Sequence, residues 1–175
     1  MVPQILFLIK TSIMIYIEKN SRLIKSLIAE GFRKTKIGYQ KVGQESELTI
    51  GFGRSHNRGT KTTYYSLHFS IHFMKVDTYA EERGLLVSQI GGNVGNLMPT
   101  QHFYEWRLPD DSCIEYENSI VDDIILSLKI YILPFWEKYF TLNQFIEAYE
   151  IGEIPLSVWV DRKFLAIAKK IIDED

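Results

Sequence analysis

The sequence predicts an α+β fold: a mostly antiparallel sheet of four to six strands, with an N-terminal helix and C-terminal helices packed on one face. Three observations carry this. First, Tyr64–Phe73 alternates strictly: Tyr65, Leu67, Phe69, Ile71 and Phe73 share one face, and Tyr64, Ser66, His68, Ser70 and His72 share the other. A period of two marks a strand with one apolar and one wetter face, as in an antiparallel sheet covered on one side. Second, Ile120, Ile124, Leu128 and Ile132 recur at helical spacing late in the chain, the stripe of an amphipathic helix. Third, the 175 residues are 46% hydrophobic, with ten Phe, ten Tyr and three Trp. That is core material for a single domain, divided as a 1–17 extension, an 18–152 core and a 153–175 C-terminal helix.

The elements follow in order. The start of the chain is apolar at Ile5–Ile9 and Ile13–Ile17, interrupted by Lys10, Thr11 and Ser12. Each run falls short of the roughly 20 apolar residues a membrane span needs, and no small-residue cleavage site follows. The expectation is a strand or helix packed on the body, or translation beginning at Met14. Glu18–Ala29 reads as an amphipathic helix, with Leu23, Ile24, Leu27 and Ile28 in register, stopped by Gly31. Phe32 then returns to the core. Strands are expected at Ile37–Val42 and Leu48–Phe52, followed by a polar loop Gly53–Lys61 and the alternating strand. Thr78–Arg83 is a short helix ended by Gly84, Leu86–Ile90 a strand, and Gly91–Pro99 a turn-rich loop.

His102–Leu108 and Ile114–Glu117 are candidate strands around the turn Pro109–Ser112. Ser119 is placed to cap a helix with Asp122 and Asp123 in its first turn. Leu133-Pro134 breaks or kinks that helix. Thr141 starts the next, Gly152 closes it, and Leu156–Ile172 forms the last, with Leu156, Val160, Phe164, Ile167 and Ile171 in register.

At this point the residues carry a resemblance. The helix ending Glu30-Gly31-Phe32-Arg33-Lys34, the aromatic-rich strands, the aromatic near Trp106, and the later run Ile132-Leu133-Pro134-Phe135-Trp136-Glu137 resemble the bacterial domain-of-unknown-function family 4304 over about residues 18–152. The family's late motif runs Pro-Trp-Phe, where this chain has Pro134-Phe135-Trp136. The resemblance implies an intracellular bacterial α+β domain and supplies no catalytic residues.

Charge excludes some functions. The net charge of −2 gives no general affinity for nucleic acid. The distribution is uneven: residues 1–75 hold 12 Lys/Arg and 4 Asp/Glu, whereas residues 76–175 hold 8 and 18. The halves either complement each other within one fold or leave an acidic patch for a basic partner. Cys113 is the only cysteine, so no internal disulfide forms, as suits a reducing cytoplasm. Its alternating surroundings suggest a small buried side chain.

Candidate sites divide into three groups. The ligand face is Tyr64, Ser66, His68, Ser70 and His72, rich in donors and either solvated, covered by a partner, or shaped into a small-ligand or peptide site. His68 and His72 stand about 13 Å apart at strand rise, too far to share a metal. A direct Ser–His hydrogen bond is not expected either, since same-face neighbours are about 6.6 Å apart. The basic loop holds Arg54, His56 and Arg58, and a carboxylate or phosphate is its natural contact. The acidic candidates are Asp110, Asp111, Glu115 and Glu117, in a stretch 108–128 without Lys or Arg; Glu115 and Glu117 are expected on one strand face. A docking surface explains these acids better than catalysis, because no base, nucleophile or oxyanion device accompanies them.

Two tempting motifs fail. Gly91-Gly92-Asn93-Val94-Gly95-Asn96 has no Lys-Ser/Thr after it and no dinucleotide spacing, and no Gly-x-Ser-x-Gly stands in the chain. No metal or cofactor is expected. The sequence therefore points to a non-enzymatic cytoplasmic interaction protein that takes a protein partner, with no nucleic acid and no membrane. Its most concrete form is an immunity-type protein that binds and neutralises a bacterial toxin domain. The alternative is a small-molecule binder or enzyme using the Ser/His/Tyr face.

Overall fold

The computed structural model describes residues 17–100 and 102–174. Most of the expected N-terminal extension, residues 1–16, lies outside the described residues, as does the reading of its start.

The fold is α+β. Among the described residues, seven strands form one antiparallel sheet, more than the four to six expected because two are only two residues long. Strands β1 (Arg33–Lys34), β2 (Tyr39–Val42), β3 (Ser46–Asn57) and β4 (Thr62–Phe73) follow one another as a meander. The far edge of β4 is shared: β5 (Ile90–Asn93) pairs with its second half and β6 (Trp106–Pro109) with its first. The last strand, β7 (Trp159–Val160), pairs with β5.

The expected register holds. Tyr65, Leu67, Phe69, Ile71 and Phe73 are buried, and the helices pack on their face. Phe69 meets Phe135 at 5.9 Å between ring centroids, and Phe73 meets Phe145 and Phe164 at the same distance.

Six helices lie among the described residues. Helix α1 (Ser21–Ala29) starts three residues later than expected, because the Asn20 side chain accepts from the Arg22 and Leu23 amides and caps it there. Gly31, at φ 84°, ends it in the left-handed region that glycine enters without strain, and Phe32 is buried as expected. Helix α2 (Met74–Glu81) begins directly at the end of β4. Helix α3 (Ile114–Ser127) leads through a π-helical turn, Leu128–Ile132, into α4 (Leu133–Lys138). The expected break at Pro134 takes this form: proline has no amide to give the preceding turn, and the ladder there shifts to a wider ring, Leu133 N–H donating to the Leu128 carbonyl. Helix α5 (Leu142–Glu150) carries the capping box of Thr141 and Gln144. Helix α6 (Arg162–Glu174) completes the order.

Several expectations are corrected. The polar loop expected at 53–61 is strand as far as Asn57; β3 and β4 pair continuously from Ser46↔Phe73 to Asn57↔Thr62. In this arm, residues 54–57 are exposed on β3 while their backbone is paired with β4. The strand expected at 86–90 begins only at Ile90, and Leu86 is 92% exposed. Residues 91–93, expected in a loop, belong to that strand.

The segment 114–117 is helix, not strand. Three alternating residues fit either period, and the burial of Glu117, Ile120, Val121 and Ile124 shows the helical one. Ser119 is therefore inside α3, its hydroxyl donating to the Tyr116 carbonyl, and Cys113 occupies the N-cap position, exposed rather than buried. The last helix starts at Arg162, not at Leu156. Asp161 accepts the Lys163 amide there at 2.9 Å, a stronger start signal than the apolar register upstream.

Candidate functional site

With α4, α5 and α6 packed on the Phe69 and Phe73 face, the opposite face of the sheet carries the polar residues of β4. Its neighbours in register are Thr49 beside Ser70, Gly51 beside His68 and Gly53 beside Ser66 on β3, and Asn93 beside His68 and Gly91 beside Ser70 on β5. Ser66 is buried, whereas Tyr64, His68, Ser70 and His72 are half-buried.

One expectation about this face is overturned. Ser66 Oγ and His68 Nε2 lie 2.9 Å apart, a hydrogen bond. Strand rise keeps their backbones apart, but Gly53 leaves the space above it empty. A Cβ there would run into the Ser66 hydroxyl and stand 2.9 Å from His68 Nε2. The two side chains lean into that vacancy and meet. Phe103 covers the imidazole at 5.9 Å between centroids, and the Asn93 side chain fixes the crossing loop by accepting the Tyr104 amide at 2.8 Å and donating to the Tyr104 carbonyl at 3.1 Å. Burial pushes the His68 pKa below its usual value, and the Glu105 charge opposes this. His72 faces Asp77 at 3.7 Å. Glu47, beside His72 in register, accepts from the Gln40 amide. Phe103 and Glu105 were invisible as site residues, since they lie in the loop between β5 and β6, and Asn93 was read as part of a turn although it ends β5.

The basic and acidic candidates meet in part. His56, on β3, lies 3.2 Å from Asp110, just after β6. Arg58 stands in the tight turn after β3, beside a shallow depression lined also by Ser55, Tyr64 and Glu105. Arg54 is exposed on the arm.

The four acids do not form the expected strand face. Glu115 and Glu117 are two helical residues apart, which points them in different directions. Glu117 is 8% exposed and faces inward, and its Oε2 finds no hydrogen-bond partner among the described residues. Burial accordingly raises its pKa. Glu115 faces out. Hydrogen bonds from its own backbone N–H and then from Cys113 hold its carboxyl below the usual range. The outward stripe of α3 is instead Glu115, Asp122 and Asp123, with Asp110 and Asp111 in the turn before it, all exposed. Asp122 pairs with Arg22 of α1 at 2.7 Å. Exposed Ile114, Tyr116 and Leu126 lie among these acids.

Among the described residues, no group of three or more His, Cys, Asp or Glu is arranged to hold a metal ion, and no helix is long and apolar enough to cross a membrane. Comparison of the chain with protein-family models, with curated proteins and with solved structures finds no match.

Proposed function

We propose that the protein is a non-enzymatic binding protein of the immunity type, one that docks on and neutralises a toxin domain, and that it meets its partner with the outer face of α3 and the turn before it. A bacterial, cytoplasmic setting and kinship with family 4304 belong to the same proposal. One observation carries it. Glu115 and Asp123 stand exposed on one side of α3 together with exposed Tyr116 and Leu126, and Asp111 is exposed in the turn before it, all in the stretch 108–128 without Lys or Arg. Apolar and aromatic anchors inside a charged rim are how protein interfaces are built, and fixed negative charge steers a basic partner into place.

Capture with the full chain as bait in its native host, followed by co-expression, tests this. The expected result is a captured protein that arrests growth when expressed alone and does not when this chain accompanies it. A captured protein whose effect this chain leaves untouched overturns the immunity role.

A second reading has one specific observation in its favour. The Ser66–His68 hydrogen bond pairs a hydroxyl with an imidazole kept neutral by burial, the beginning of a hydrolytic site. A fluorophosphonate probe distinguishes the two. Stoichiometric labelling that Ser66→Ala removes supports a hydrolase, and an unlabelled chain supports binding.

A further inference from the structure

We infer that the outer edge of β3, over residues 52–57, is a docking edge for an extended acidic segment of another protein, which adds to the sheet as a strand. β3 pairs with β4 one to one along its whole length, but β2 covers its other side only as far as Ile50. Beyond Ile50, no strand among the described residues lies on that side. The direction of the backbone groups there follows from the hairpin that starts the strand. The Gly43 amide donates to the Ser46 carbonyl at 2.8 Å, so Ser46 turns its backbone groups toward β2. Successive residues alternate between the two edges of a strand, and Phe52, Arg54 and His56 therefore turn theirs outward as well. A row of outward amides and carbonyls is a template for another strand. The other edges are guarded or short. β6 ends at Pro109, and the Tyr116 hydroxyl donates to the Arg107 carbonyl at 3.1 Å. β1 and β7 have two residues each.

The backbone sets the shape of the occupant and charge sets its chemistry. A helix bonds its amides within itself and has none to give the edge, whereas an extended segment gives one at every second residue. No Asp or Glu stands from residue 48 through 76, and Arg58 and Lys61 lie exposed in the turn that closes the arm. The acids near the arm, Glu105 and Asp110, flank β6, which the sheet order places on the far side of β4. A strand carrying Glu or Asp therefore meets cations at the end of the arm, and opposite charges on neighbouring strands attract. A second copy of this chain fits worse: it lays another stretch without Asp or Glu against the first, and like charges across strands destabilise. The edge is also formed in advance. Continuous pairing with β4, itself backed by β6 at residues 62–65, holds residues 52–57 extended, so little ordering is left to the moment of binding. This edge is distinct from the outer face of α3, and the inference does not depend on that reading.

NMR amide shifts and hydrogen exchange of the full chain test it, with an acetylated heptapeptide of alternating Glu and Val as probe. One control peptide has Lys in place of Glu. The other is the Glu/Val peptide N-methylated throughout, which keeps the charge and removes the donors. The expected result is a saturable shift of the amides of residues 52–57, with slower exchange of the outward ones, on adding the Glu/Val peptide. Binding should weaken by about tenfold or more with the Lys/Val peptide and vanish with the N-methylated one. Arg58→Glu together with Lys61→Glu alters only exposed turn residues, so the fold is retained, and the variant should bind the Glu/Val peptide about tenfold more weakly. No saturable change at millimolar peptide overturns the inference. So does undiminished binding of the N-methylated peptide, or undiminished binding by the double variant. Protection of the outward amides in the chain alone overturns it too, because the edge would then already be paired.

Discussion

Two glycines on one strand should respond to the same substitution with opposite signs. Gly51 and Gly53 both lie on β3 with their missing side chains toward the helix-free face. An added Cβ at Gly51 meets nothing closer than the Ile37 carbonyl at 3.6 Å, an ordinary contact. Gly51→Ala should thus gain the roughly 0.5–1 kcal/mol that replacing a strand glycine returns. At Gly53 the Cβ occupies the place where Ser66 and His68 meet. Both side chains can rotate away, so the fold survives, but the hydrogen bond is lost, worth about 1 kcal/mol, and a buried Ser66 hydroxyl is left unpaired, about 1–3 kcal/mol more. Set against the backbone gain, Gly53→Ala should destabilise by roughly 1–3 kcal/mol. For a chain of this size, that lowers Tm by a few degrees, at about 2–4 °C per kcal/mol. Urea midpoints of the two variants and the wild type measure the difference. If Gly53→Ala is as stable as Gly51→Ala, the vacancy above Gly53 does not hold the Ser66–His68 contact and the account of this face fails.

Other outcomes follow from the same structure. Phe69→Ala removes a buried ring packed on Phe135 and should cost about 3–5 kcal/mol; an unchanged denaturant midpoint would refute the core assignment. The Glu117 pKa is raised by burial above its usual 4.5, so its ionisation opposes folding: stability is greatest below the unfolded pKa and falls as pH rises through the folded one. Glu117→Gln should therefore be more stable than wild type at pH 7, with the gap closing below about pH 4.5. A variant that is less stable at neutral pH would mean the carboxylate has a partner. The His68 imidazole, pushed below 6.5 by burial, should titrate at lower pH than exposed histidines in an NMR series, and a midpoint above 6.5 would contradict its position under Phe103.

Much of the fold was legible in the sequence because its signals were local. The alternation of β4 and the glycine stops at Gly31, Gly84 and Gly152 each follow from a few neighbouring residues. So does the helix start at Thr141. What was not legible depended on distant partners. The β3 arm is strand because β4 pairs with it, and nothing in its polar residues announces that. Residues 114–117 fit both periods, and only packing against the core chose the helix, which turned Glu117 inward and moved the acidic surface to Glu115, Asp122 and Asp123. The Ser66–His68 contact was excluded from strand spacing alone; the reason it forms is a glycine on the neighbouring strand. Trp159 was hidden inside an expected helix, although Asp161 already signalled a later start.

The central claim is that the outer face of α3 recruits a basic protein partner, and the association rate tests it most directly. Asp111, Glu115 and Asp123 replaced by Asn, Gln and Asn should leave Tm nearly unchanged, because exposed charges contribute little to folding. Stopped-flow mixing with the captured partner should then show slower association, a dissociation rate close to that of the wild type, and a flatter dependence on salt. Wild-type association rates across the whole salt range would contradict the claim.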